Sequence, residues 1–389
     1  MQEPIYLDYN ATTPLDPRVR EVTVEAMVSL FGNSSSSTHA YGWKAQKMLK
    51  RARKHVADLL GASDKFIYFN SGATEANNTI LRAVFEAFKP AGCHIITSSI
   101  EHKCILRCCE FLKSRGCEIS YLPVDSGGRI RVGMIPAMIQ ANTRLISVMG
   151  ANNETGVIQD LESVCRIAQE KKILCHSDVA QYVGKVPFSV KKLPFDFLSL
   201  SGHKFYGPKG VGAIYSPHAG FLKKFPLIFG GGQERSTRAG TVNTPGVAGF
   251  GEAARLATLE LEAEAGRLQA IKEEAATLLK REIPSVVFNG RPAATLPGTL
   301  NFYIPGLASK DLLSWTKEDV ALGTGSACTS VTQDPSHVLT AMGLGRDECQ
   351  SSLRLSFGRF TEADEVRCAI EILISGVSAL SGCNEEKAV

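Results

Sequence analysis

The chain has 389 residues, 44% of them hydrophobic and 21% charged, and its 43 basic against 39 acidic side chains leave a formal net charge of +4. That balance is not the footprint of a nucleic-acid binder, and the apolar content can fill proper cores rather than leave the chain disordered. No apolar run reaches the ~18–20 residues of a bilayer span, and no room for a signal peptide is left before Tyr6, so a soluble, cytoplasmic protein is expected, with no membrane partner.

Taken in chain order, the basic stretch Lys47–Lys54 has the spacing of a solvated helix face. From about Phe66 to Tyr215, short apolar, β-branched runs alternate with amphipathic stretches, as βα units feeding a mostly parallel sheet do. Seven strands are predicted: Phe66–Phe69, His94–Ser98, Ile119–Leu122, Leu145–Met149, Ile173–Ser177, Phe197–Leu200 and Val211–Tyr215. After the glycine-rich Phe229–Gly232 segment, Gly251–Lys280 reads as a long helix with Leu268, Ile271, Ala275 and Leu278 on one face. Thr299–Ile304 alternates as a half-buried strand, and a closing helix starts at Thr361 as N-cap, with Val366, Ile370, Leu373, Val377 and Leu380 as its stripe. The fold class is therefore α/β. A segment at 1–15 packs with a small domain, 16–258 forms a large domain with a seven-stranded sheet, and 259–389 forms a smaller α+β domain.

Ligands of open α/β sheets sit beyond the carboxyl ends of the strands, so the loops there carry the functional expectation. The first strand leads into Asn70-Ser71-Gly72-Ala73-Thr74-Glu75, a small-residue turn opening a helix, whose free N–H groups and Thr74 hydroxyl favour an anion. Alone it reads better as a plain helix cap. His102 follows the second strand, and by itself would be a hydrogen-bonded structural histidine. Asn152-Asn153-Glu154 follows the fourth, where the two amides could simply cap the loop. Asp178 ends the fifth strand, where an acid is costly to bury without a partner. Lys204 follows the sixth, on a tight turn flanked by glycine, where desolvation would lower its pKa and suit it to bond a carbonyl. A phosphate cradle, a flat ring, an acid and a lysine in this order suit pyridoxal 5'-phosphate.

Eleven cysteines show neither a CxxC pair nor a Cys/His ladder with zinc spacing, so no metal site is expected. Cys328 differs from the rest. It lies in Gly323-Thr324-Gly325-Ser326-Ala327-Cys328-Thr329-Ser330, small and polar, with no apolar stripe to bury it.

The stretches Tyr6-Leu7-Asp8-Tyr9-Asn10-Ala11-Thr12-Thr13-Pro14, Ser71-Gly72-Ala73-Thr74-Glu75, Ala151-Asn152-Asn153-Glu154-Thr155-Gly156, Ser201-Gly202-His203-Lys204 and Gly325-Ser326-Ala327-Cys328-Thr329-Ser330 resemble the NifS/IscS-type cysteine desulfurases of the class V aminotransferase family, fold-type I pyridoxal-phosphate enzymes. The resemblance runs nearly end to end. It implies a homodimer that converts L-cysteine to L-alanine and passes the sulfur, as a persulfide on Cys328, to an acceptor protein for iron–sulfur clusters or other thio-cofactors. It further implies that Lys204 links to the cofactor aldehyde, that His102 stacks on the ring and that Asp178 meets the ring nitrogen. Gln181 and Asn153 would touch the ring hydroxyl or the substrate, and Ala73, Thr74, Ser201 and His203 the phosphate. Thr241 would reach the phosphate across the dimer, and Arg354 would hold the substrate carboxylate. Val179 departs from the family's usual alanine and Ser34 from a common proline. Selenocysteine lyase, another class V lyase or aminotransferase, and a non-catalytic scaffold of the same fold are the alternatives.

Overall fold

A computed structural model describes residues 3–324 and 334–385. Its strands are β1 (Ile5–Tyr6), β2 (Ile67–Asn70), β3 (His94–Ser98), β4 (Glu118–Leu122), β5 (Thr143–Ser147), β6 (Leu174–Asp178), β7 (Phe197–Ser201), β8 (Gly212–Tyr215), β9 (Val287–Phe288), β10 (Thr299–Tyr303), β11 (Val320–Ala321) and β12 (Ser352–Ser356). The central sheet runs in the order β2-β8-β7-β6-β5-β3-β4, and β8 alone runs antiparallel to its neighbours. This is the mostly parallel, seven-stranded α/β sheet that the apolar runs predict.

Strand residues alternate between two apolar layers. Tyr68, Ile95, Leu145, Phe197 and Ile214 pack under the helices Ala73–Phe88 and Lys103–Ser114. Ile67, Phe69, Ile96, Ile146, Leu198 and Ala213 face the opposite layer, which holds Val56 of the helix Ala40–Leu59, Val164 of Leu161–Glu170 and Phe250 of Thr244–Glu282. With both faces covered, β3, β7 and β8 are buried along their whole length, their serines, threonine and histidine included.

A second core gathers Leu268, Ile271, Ala275 and Leu279 of the long helix with Leu300 and Phe302 of β10, Leu353 and Leu355 of β12, and Val366, Ile370 and Leu373 of the terminal helix. The helix Thr244–Glu282 serves both cores, and it begins earlier than its periodicity suggests because Asn243 caps it, accepting from the Gly246 N–H at 3.1 Å. The chain start closes onto this second unit: β1 pairs with β11, and Leu7 is part of its core.

Two local expectations are corrected. The helix Ala363–Glu385 starts beyond Thr361, whose hydroxyl instead accepts from the Gly358 N–H (3.0 Å), while the Glu365 carboxylate takes the Glu362 N–H (3.0 Å). The strand β10 is buried on both faces rather than half-buried, since Asn301 donates to Glu154 O and its Oδ1 accepts from Asn289. Among the described residues, no helix is long and apolar enough to cross a membrane.

Candidate active site

A cavity of about 480 Å³ opens at the carboxyl ends of β2, β3, β5, β6 and β7. Ala73, Thr74, His102, Asn153, Asp178, Gln181, Ser201, His203, Lys204 and Arg354 all line it. Thr241 does not, and is exposed; Cys328 lies outside the described residues.

The floor of the cradle is set by two glycines. Gly72 caps the 16-residue helix Ala73–Phe88 at φ 142°, without a side-chain hydrogen bond to the first turn. Gly212 begins β8, and a Cβ there would stand 2.3 Å from Leu200 O and 2.6 Å from the Gly72 Cα, so only glycine lets the turn settle against the sheet. The first-turn N–H groups and Thr74, with Ser201 close to Gly72, thus form a pocket for an anion. His203 shares a hydrogen bond with the Thr12 hydroxyl (3.1 Å), and burial, with Lys204, Lys209 and Lys185 nearby, pushes its pKa down to about 4.

Asp178 closes β6 and is buried, yet it is satisfied: Asn77 Nδ2 donates to Oδ2 at 2.7 Å and the Ala180 N–H to Oδ1 at 3.0 Å. The second Asn77 N–H points at Cys104 Sγ (3.2 Å), a thiol on the cavity wall whose pKa burial and Asp178 push up to about 12. His102 caps the helix Lys103–Ser114, its Nδ1 accepting from the Cys104 N–H (3.2 Å). That bond occupies one ring nitrogen, and burial lowers the pKa against the pull of Asp178, so the imidazole is a neutral plate at pH 7. The neighbouring Glu101, fully buried, is pushed up to about 8 by desolvation and stays protonated, adding no second negative charge beside Asp178.

Lys204 stands on the turn Gly202–Lys204 after β7 and donates to Asn10 O and Ala11 O, both at 2.8 Å. Gln181 Nε2 donates to the same Asn10 carbonyl (2.8 Å), and its Oε1 accepts from Lys185 Nζ (2.5 Å). Burial, with the nearby charges of Lys204 and Arg354, pushes Lys185 down to about 7. The Asn10 side chain spans the two units, donating to Asn153 O (3.2 Å) and to Thr299 Oγ1 (2.9 Å). Of the paired amides, Asn152 is the loop cap, taking the Glu154 and Thr155 N–H groups, whereas Asn153 faces the cavity. Arg354, from the middle of β12 and 1% exposed, pairs with Asp8 and donates to Asn153 O at 2.9 Å.

Asn10, Asn77, Cys104 and Lys185 are functional neighbours that strand-end reasoning misses. Asn10 and Asn77 lie inside or beside matched motifs, and that is the only signal the sequence carries for them.

The cavity fits pyridoxal 5'-phosphate on its own features: an anion cradle at one end, a buried carboxylate met by two donors, a neutral imidazole plate and a lysine on a tight turn. The Aminotransferase class-V family model matches residues 5–368. Human cysteine desulfurase is 43% identical over 377 residues, covering 97% of this chain and 82% of the human protein. The IscS cysteine desulfurase of Anaeromyxobacter dehalogenans is 41% identical, covering 96% and 92%. Among solved structures, a NifS-like protein superposes with a TM-score of 0.89 at 35% identity, covering 97% of this chain and all of that one. A structure described as SspA in complex with cysteine gives 0.81 at 34%, covering 93% and 100%. Spanned almost end to end by these similarities, the chain belongs to the class V aminotransferase family and, within it, to the cysteine desulfurases.

Proposed function

We propose that the protein takes sulfur from L-cysteine, releasing L-alanine, with pyridoxal 5'-phosphate as cofactor and Cys328 as the first sulfur acceptor. The observation that carries this reading is the convergence of Lys204, Asp178, His102 and Arg354, from four separate strand ends and strands, on one cavity beside an anion cradle. Bound there, the cofactor supplies an electron sink for the bonds at the substrate Cα and Cβ.

The chain's own residues do the rest. Ala73, Thr74, Ser201 and His203 hold the phosphate, and His102 stacks flat because it is neutral. Asp178, kept in place by Asn77, holds a proton on the ring nitrogen. Arg354 presents its fork to the substrate carboxylate, with Asn153 beside it. The Lys204 amine moves the proton at Cα. The Cys328 thiolate attacks the substrate sulfur; the C–S bond breaks with its electron pair on the carbon side, that carbon is protonated to give alanine, and Cys328 is left as a persulfide. A protein thiol then takes the outer sulfur. The nine cysteines whose side chains are described are free thiols, which suits a reducing compartment such as the cytoplasm. Thr241 is exposed and outside this chain's own cavity, which supports the reading that it serves a second copy in a homodimer.

The test is Cys328→Ala. The variant is expected to purify yellow with stoichiometric cofactor and to lose at least ~10²-fold of alanine and sulfide production from cysteine. Unchanged turnover would remove Cys328 from the reaction, and a colourless wild-type protein would remove the cofactor.

A further inference from the structure

The segment between Phe229 and Thr241 contains three consecutive non-glycine residues in the left-handed region: Glu234, Arg235 and Ser236, at φ 44°, 58° and 66°. Residues with a Cβ stay there only where their surroundings impose it. What imposes it is Glu234, itself buried. Its carboxylate accepts two parallel bonds from the Arg53 guanidinium, both 2.8 Å, and a third from the Phe69 N–H at 2.8 Å. Arg53 also donates to Ile67 O (2.7 Å) and lies 4.5 Å above the Phe69 ring. The grip is thus on β2, directly before the turn that forms the anion cradle.

A second tie follows. Arg238 pairs with Glu75 at 3.0 Å, in the first turn of the cradle helix. Three residues on, Thr241 projects from the surface rather than into this chain's cavity, and Phe229 at the other end of the segment is 81% exposed.

We propose that Glu234 is a positioning residue: by holding the strained turn against β2, it fixes where Thr241 projects, so that Thr241 meets the cofactor phosphate of a second copy. This rests on the reading of the protein as a pyridoxal-phosphate homodimer and adds to it the element that aims the crossing residue. The carboxylate is needed rather than its shape. An amide in its place has one acceptor oxygen for three donors, and turns its own N–H toward a guanidinium or a backbone N–H.

The experiment is a double-mutant cycle on cofactor affinity, read from the absorbance of bound pyridoxal phosphate, in the full-length protein and with its dimeric state checked by sedimentation. Glu234→Gln and Thr241→Val are each expected to weaken binding about tenfold, and the double variant to be no weaker than either single one. A Glu234→Gln protein that binds the cofactor as tightly as wild type overturns the proposal. So does a double variant whose loss is the product of the two single losses, because Glu234 would then act elsewhere than through Thr241. If Glu234→Gln does not fold, Arg53→Lys, which keeps the charge and removes the fork, goes through the same cycle with the same two readings. A wild-type protein that is monomeric or takes up no cofactor overturns the underlying reading instead, as does tight binding by Thr241→Val.

Discussion

Arg354 is the side chain with most to hold at once. It is buried at the centre of β12, pairs with Asp8 and reaches Asn153 O, while lining the cavity. A lysine there keeps the charge but has no planar fork for both Asp8 and a carboxylate. Arg354→Lys is expected to raise the KM for cysteine about 10- to 100-fold with cofactor absorbance unchanged, which steady-state kinetics would read. An unaltered KM would place the substrate carboxylate elsewhere. Residues of this kind divide cleanly in how legible they are. His102, Asp178 and Lys204 stand at strand ends, where an isolated polar group after an apolar run is visible in one dimension. Asn10, Asn77 and Lys185 are not so marked, because their meaning lies in partners far away in sequence: Asn10 meets Gln181, Lys185 and Lys204 only once the chain has folded.

Among the elements, the helix Thr244–Glu282 shows where periodicity stops being informative. Its later part, from Gly251, has an apolar stripe that is readable; its first turns carry Gly246 and Gly249, and all three glycines weaken the helical signal. They are instead contact points. A Cβ on Gly251 would fall 2.5 Å from both the Cα and Cβ of Ala52 on the helix Ala40–Leu59, and one on Gly249 would fall 2.3 Å from Thr23 Oγ1. In an isolated helix, replacing glycine gains up to ~1 kcal/mol. Here the overlap is with backbone and cannot move aside, so Gly251→Val is expected to destabilise by about 2 kcal/mol, seen as a lower midpoint in thermal or urea unfolding. A neutral or stabilising result would mean the two helices can part. The shift of β5 and β6 from their predicted bounds has a similar origin. Thr143 belongs to its strand through pairing with His94, and Asp178 through pairing with Ser199, neither of which hydrophobicity can register.

For the whole molecule, the buried histidines contribute to the loss of stability in acid. His176 is fully buried between the Ser147 and Ser199 hydroxyls, and desolvation pushes its pKa down to about 3. In the unfolded chain the same ring takes a proton below about 6.5. The folded state therefore binds fewer protons between those values. The contribution of His176 is complete above about pH 6.5 and is lost as pH falls toward 3, at ~1.4 kcal/mol per pH unit. His203, pushed down to about 4, acts in the same direction. Melting temperature is expected to fall on acidification below pH 6.5, and less steeply in His176→Gln; an equal slope in the variant would contradict the assignment.

At this scale stretches far apart in the sequence also meet. The Asn10 N–H bonds to Ser356 Oγ across 346 residues, and β1 pairs with β11. The stretch around Asn10 is thus held by β12 as well as by the large unit, where the Thr13 N–H bonds to His203 O (3.0 Å). Its carbonyls at Asn10 and Ala11, which receive Lys204, therefore sit between the unit that bears Lys204 and the strand that bears Arg354. The sheet, the anion cradle and the acid belong to one unit alone, whereas the seat of the lysine is shared, so a change in how β12 packs would reach Lys204 without touching the cavity floor.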